Sequence, residues 1–167
     1  MHALRMLTRY KAWADDRFLA AVATLPDADL VAPQPIVFGS LLRTCHHAYL
    51  MDVAWRANLL GEPHGLVTRN PVEHPPLKEL RHRQAEIDAW YVAYADALSE
   101  SEAAAIVRFT FIGGGEGEMA RRDMLLHVVN HATYHRGHAA DMLYHFGTMA
   151  PTTDLPVFLR EQGAAMG

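Results

Sequence analysis

Five of the chain's eleven histidines fall between His127 and His145. Imidazole is the side chain best suited to holding a divalent ion or moving a proton near neutral pH. Place this segment on a helix with His131 at zero. His127 then lies at about −40°, His135 at about +40°, His138 at about −20° and His145 at about −40°. All five share one narrow face, with Met124 and Met142 at about +20°. The stripe therefore reads as buried. A buried imidazole needs partners for both ring nitrogens, and several on one line point to a shared partner. A divalent ion is such a partner, because side chains at i and i+4 point the same way and two imidazoles can reach one ion. A single histidine on an apolar face is more often a hydrogen-bonded core residue. Spacing alone does not choose between the pairs His127/His131 and His131/His135, and it leaves His138 open.

A metal site needs a further ligand from another element. The adjacent His46 and His47 diverge by about 100° on a helix, so one ion takes only one of them. Apolar neighbours one turn away flank both, and periodicity does not separate them. Cys45 offers a thiolate, a good zinc ligand. It lies about 160° around the helix from His47 and reads as a small buried residue.

Four long helical patterns position these residues. The first spans about Ala3 to Thr24, with Leu4, Leu7, Tyr10, Ala14, Phe18, Ala21 and Leu25 on one face and Pro26 as its stop. The second starts after Ser40, a good N-cap, and runs to Leu60 before Gly61. A proline-rich loop follows. The third runs from Leu77 to about Leu98, with Leu80, Ile87, Trp90 or Tyr91, and Tyr94 as its buried stripe. The period then changes over Ala105 to Ile112, which is β-branched and aromatic as strands are. Gly113 to Gly117 reads as a turn, and Glu118-Met119 as part of a second arm. The fourth helix runs from Arg121 to Phe146. An apolar tail segment, Leu155 to Leu159, could cover one end. The expected architecture is all-α: one domain, residues 1–167, folded as a four-helix bundle with a short β-hairpin before the last helix.

Composition bounds the function. Fifteen basic residues are scattered against nineteen acidic ones, for a net charge of −4. Nucleic-acid binding needs clustered Lys and Arg, so no nucleic-acid partner is expected. No segment approaches the roughly 18 apolar residues of a membrane span. One cysteine cannot form an internal disulfide. A cytoplasmic location and no membrane partner are expected, and a homodimer is plausible for a bundle.

Several segments resemble the DinB family, also called the DinB/YfiT-like metalloenzymes. Arg9-Tyr-Lys-Ala-Trp-Ala-Asp15 is similar to the family's Tyr-Asn-x-Trp-Ala-Asn opening. Phe38 to Trp55 resembles a pattern with Ser-Ile at the helix start, Asn-His in the middle, then Asp and Trp. The stretch from Leu125 to His138, Leu-Leu-His-Val-Val-Asn-His-Ala-Thr-Tyr-His-Arg-Gly-His, is similar to the signature His-x-x-Asn-His-x-x-x-His-Arg-Gly-Gln. Thr153 to Arg160 resembles the family's ending. The resemblance implies a metal held by His47, His131 and His135, with His127 outside the ligand set. Lys11, Asp15, His46 and His138 depart from the family pattern, and Ala120 stands where a capping Thr or Ser is frequent.

Three neutral imidazoles leave positions open on the ion, as in catalytic rather than structural sites. Zinc is preferred, with nickel next. The resemblance implies metal-dependent chemistry on a small molecule, either hydrolysis or transfer to a low-molecular-weight thiol such as bacillithiol or mycothiol. The alternative is a non-catalytic metal- or ligand-binding bundle of a stress response. An apo bundle whose histidines bond to one another is a third reading. Tyr134, about 60° from His131, is the candidate proton donor, with core packing as the competing role. Asn130 and Asp52 are candidates to orient ligand rings, although the phase of Asp52 favours an interhelical role. Arg136 should form a structural ion pair. Gly137 should mark close helix packing. Trp13, Trp55 and Trp90 should line the core or a groove.

Overall fold

The apolar stripe from Leu4 to Phe18 lies on helix α1, His2–Val22, the first element of a computed structural model that describes residues 1–165. The chain continues through α2 (Asp27–Val31), α3 (Leu41–Leu60), α4 (Leu77–Ala97) and α5 (Glu100–Ala104). Strands β1 (Ile106–Thr110) and β2 (Glu116–Ala120) follow, then α6 (Arg121–His145) and α7 (Leu155–Ala165). The four long helices are those expected. α1 packs on α4 and α6, and α3 packs on α6 and α4, so α1 and α3 sit across a diagonal.

Local chemistry sets the boundaries. The Ser40 hydroxyl accepts from the Arg43 N–H and starts α3, while Gly61, at φ 72°, ends it in the left-handed conformation. The strands pair antiparallel with Ile106 opposite Ala120 and Phe109 opposite Gly117. A Cβ at Gly117 would stand 2.8 Å from the Phe109 ring, so the position admits only glycine without a shift. Phe109 in turn packs edge-on against Trp55 of α3, with centroids 5.0 Å apart, and this fixes the hairpin to the bundle. Helix α7 caps one side through Phe158, which packs against Tyr10 and Trp13.

The core has two apolar ends with a polar belt between them. One end gathers Phe18, Val22, Leu41, Leu80 and Leu143, and the other Leu4, Ile87, Tyr91, Leu125 and Val128. Between them Lys11 is 1% exposed and donates to Asp15 at 2.9 Å, Asp52 at 2.7 Å and Asp88 at 2.5 Å. Gln84 donates to Asp52 and Asp88, the Tyr91 hydroxyl donates to the Asp52 carbonyl, and Arg136 donates to Asp15 at 2.6 Å. Burial alone would depress the Lys11 ammonium, but the three carboxylates outweigh it and hold it well above its usual range. Burial, with the neighbouring Asp15 and Asp52 charges adding to it, pushes Asp88 up to about 7 against the opposing pull of Lys11.

Some expectations need correction. Gly137 marks no close packing: a Cβ there would meet nothing within 4 Å. Nothing in the structure explains this glycine. On α4 the buried stripe is Leu80, Ile87 and Tyr91, while Trp90 and Tyr94 stack on each other at its half-buried edge. The stripe of five histidines is not buried throughout: His138 and His145 are exposed, although Ala139, Met142 and Leu143 between them lie in the core. Helices α2 and α5 were not anticipated. The second begins with a capping box between Ser99 and Glu102.

Two stability tests follow from this belt and this glycine. Lys11→Met leaves three buried carboxylates without their shared cation and should cost about 3–5 kcal/mol in urea unfolding; a loss within experimental error would refute the cluster's role. Gly137→Ala should stabilise by about 1 kcal/mol, since alanine restores helix propensity at no steric cost.

Candidate metal centre

The i, i+4 spacing on α6 and the packing of α3 against α6 bring three imidazoles together. His47, His131 and His135 each offer a ring nitrogen, and these nitrogens all lie within 4.8 Å of one another. Ring centroids are 5.5 Å apart for His47–His131, 4.6 Å for His47–His135 and 4.3 Å for His131–His135. A tetrahedral zinc with Zn–N near 2.0–2.1 Å needs nitrogens about 3.3 Å apart, which small side-chain rotations would supply.

The orientation of His47 is fixed from outside. Its Nδ1 lies 2.7 Å from the Arg69 carbonyl oxygen. A carbonyl only accepts, so Nδ1 carries the proton and the Nε2 lone pair is free for an ion. Phe38, just before the α3 N-cap, stacks on His47 at 4.3 Å and meets His135 edge-on at 5.2 Å. The turn between Phe38 and Ser40 needs Gly39, whose φ is 80°. His131 Nδ1 and His135 Nδ1 are buried without a hydrogen-bond partner. A neutral imidazole has one donor and one acceptor nitrogen, so protein groups leave part of this pair unsatisfied. The donor set suits a divalent ion.

Electrostatics favour the neutral, ligating form. Burial first, and the neighbouring histidines second, push His131 down to about 3 and His135 to about 4. Burial also lowers His47, against the raising effect of its bond to the Arg69 carbonyl.

The other candidates lie elsewhere. His127 packs on Trp55 with centroids 4.6 Å apart and is not one of the three clustered rings. His138 sits on the solvent side, against Tyr134. His46 is buried but turned away, stacked on Tyr49. Cys45 is buried, and desolvation pushes its thiol up to about 12, which leaves it protonated. Asp52 and Arg136 belong to the interhelical ion cluster, as their phases suggested. Asn130 is exposed, on the outside of α6. Tyr134 is 60% exposed; its ring packs edge-on to His135 at 5.1 Å and does not line the groove described below. Asp15, Asp52 and Asp88 also converge, but the Lys11 ammonium already fills the space between them.

A groove of about 780 Å³ opens onto all three imidazoles. Met51 and Trp55 of α3, Phe111 and Ile112 of the hairpin, and Arg69 of the loop before α4 form much of its wall. A second, small cavity of about 30 Å³ lies behind His135, between it and Asp15, Asp52 and Gln84. Sequence reasoning missed Phe38 and Arg69. Both sit in irregular segments where no periodicity marks them.

Comparison with known proteins agrees with this architecture. A profile of the DinB family matches residues 1–166. Protein DinB of Bacillus subtilis (strain 168) is 23% identical over 159 residues, spanning 92% of this chain and 91% of that one. The crystal structure of a DinB-like protein from Bacillus cereus ATCC 10987 superposes with a TM-score of 0.66 at 18% identity, covering 86% of this chain and 91% of that one. The bundle and its short hairpin are the fold of this neighbour.

Because His131 and His135 are depressed, the unfolded chain binds more protons than the folded one between about pH 6.5 and their folded values. Stability of the metal-free protein is therefore complete above that window and falls as pH drops through it. The slope is at most about 1.4 kcal/mol per pH unit per histidine, and less where groove solvent screens the ring. Urea unfolding should show a smaller acid loss for His131→Asn/His135→Asn than for the wild type. An equal loss in both would contradict the assignment.

Proposed function

Since the chain belongs to the DinB family, we propose that it is a divalent-metal-dependent enzyme acting on a small molecule, with His47, His131 and His135 as the metal ligands. The observation that carries this reading is the groove that reaches all three imidazoles. A purely structural ion would be closed by four protein ligands. Among the described residues neither His127 nor His138 joins the cluster as a fourth. The open side is where a substrate would enter.

Zinc is the preferred ion and nickel the next, since three borderline nitrogen donors suit both. When bound, such an ion supplies Lewis acidity, which activates water for hydrolysis or stabilises a thiolate for S-transfer. The chain's own residues do the rest. His47 is held in one tautomer by the Arg69 carbonyl, and Phe38 limits how far its ring can swing. The apolar groove walls exclude water around a bound substrate. A low-molecular-weight thiol as co-substrate, a cytoplasmic location and a homodimer belong to the same proposal and rest on the sequence alone. No helix among the described residues is long and apolar enough to cross a membrane.

Elemental analysis of untagged protein, purified without added metal, tests the ligand set. The wild type should carry about one equivalent of zinc or nickel, and His135→Ala should lose most of it, since metal sites need their full donor number. Metal absent from both proteins, with no uptake on adding zinc or nickel, would sink the proposal.

A further inference from the structure

The groove differs in charge from the chain that forms it. Acidic residues outnumber basic ones by nineteen to fifteen. Yet among the described residues no aspartate or glutamate lines the groove, and Arg69 does. The Arg69 side chain is exposed and enters no ion pair among the described residues. Its backbone is tied to His47 through the carbonyl, at 2.7 Å. Residue 69 is therefore anchored beside the imidazoles, although it comes from a loop, and it lines the same groove. The side-chain amides of Asn58 and Asn70 add neutral polar groups, while Met51, Trp55 and Phe111 add apolar surface.

A cationic fork next to an apolar wall, with no competing carboxylate, suits one kind of ligand. We propose that the groove binds a small organic carboxylate with an apolar body. The carboxylate takes the planar Arg69 guanidinium, which offers two parallel N–H donors. The body lies against Trp55, Met51 and Phe111, and the far end reaches the three imidazoles. The volume, about 780 Å³, accommodates such a molecule. Only the contact at the far end rests on the metal reading given above. The Arg69 contact and the apolar wall are independent of it.

The test compares 4-phenylbutyrate with 4-phenylbutan-1-ol, which keeps the apolar body and lacks the charge. Both are titrated by calorimetry into the full-length wild type, Arg69→Gln and His135→Ala, with metal content measured in each. The wild type should bind the carboxylate about tenfold tighter than the alcohol, as a charge-assisted bidentate contact implies. Arg69→Gln should lose that margin while keeping its metal, because only the backbone of residue 69 touches His47. Equal affinities in the wild type, no binding of either probe, or a margin unchanged in Arg69→Gln would each overturn the proposal. The last outcome would mean that the ion alone reads the charge. A wild type without metal that still prefers the carboxylate through Arg69 would overturn the metal reading and support this one.

Discussion

Lys11 places a full positive charge in the middle of the bundle, and the arrangement of the helices must satisfy it. An isolated ammonium in this setting would cost several kcal/mol. Three carboxylates from α1, α3 and α4 meet it, and Arg136 of α6 joins through Asp15. Apolar burial is non-directional and does not by itself single out one set of partners. An ammonium bonded to three helices' worth of carboxylates does. The cluster therefore sets how α1, α3, α4 and α6 stand relative to one another, where the two apolar ends alone would define the axis positions more loosely.

That constraint carries directly to the three imidazoles. Asp52 sits five residues after His47 on α3, and Arg136 directly follows His135 on α6. The two helices that present the histidines are thus the ones pinned by the ion cluster. Pinning fixes the separation of His47 from His131 and His135, and ring orientation is then set locally, by the Arg69 carbonyl and by Phe38. Burial keeps the rings neutral at physiological pH, and neutral imidazole is the form that ligates. One polar belt thus serves both purposes: its charged half orders the helices, and its neutral half faces the groove.

Much of this was legible in the sequence, for identifiable reasons. The four long helices announce themselves through three- and four-residue spacing and through Ser40, Gly61 and Pro26. The i, i+4 geometry offers His127/His131 and His131/His135 equally, and the resemblance to the family signature singles out the second pair. The helix phase of Arg136 and Asp52 already suggested that they point away from the histidine face. What stayed hidden depends on distant contacts. His46 and His47 differ only in what lies across from them, which local periodicity does not encode. Lys11 reads in the sequence as a departure from the family's asparagine, and its three partners lie 4, 41 and 77 residues away. Arg69 acts on His47 through a backbone carbonyl, a group every residue has. Helices α2 and α5 are five residues each, too short for a periodic signal, although the Ser99/Glu102 capping box was there to be read.

X-ray absorption at the zinc edge of the reconstituted protein tests the central claim, that three imidazoles and no sulfur hold the ion. The account predicts a shell of nitrogen and oxygen donors near 2.0–2.1 Å, at distances about those of Zn–N bonds, with imidazole multiple scattering that fits three rings. A sulfur shell at about 2.3 Å, or a fit requiring four imidazoles, would contradict it: the first would bring in Cys45, and the second would close the site.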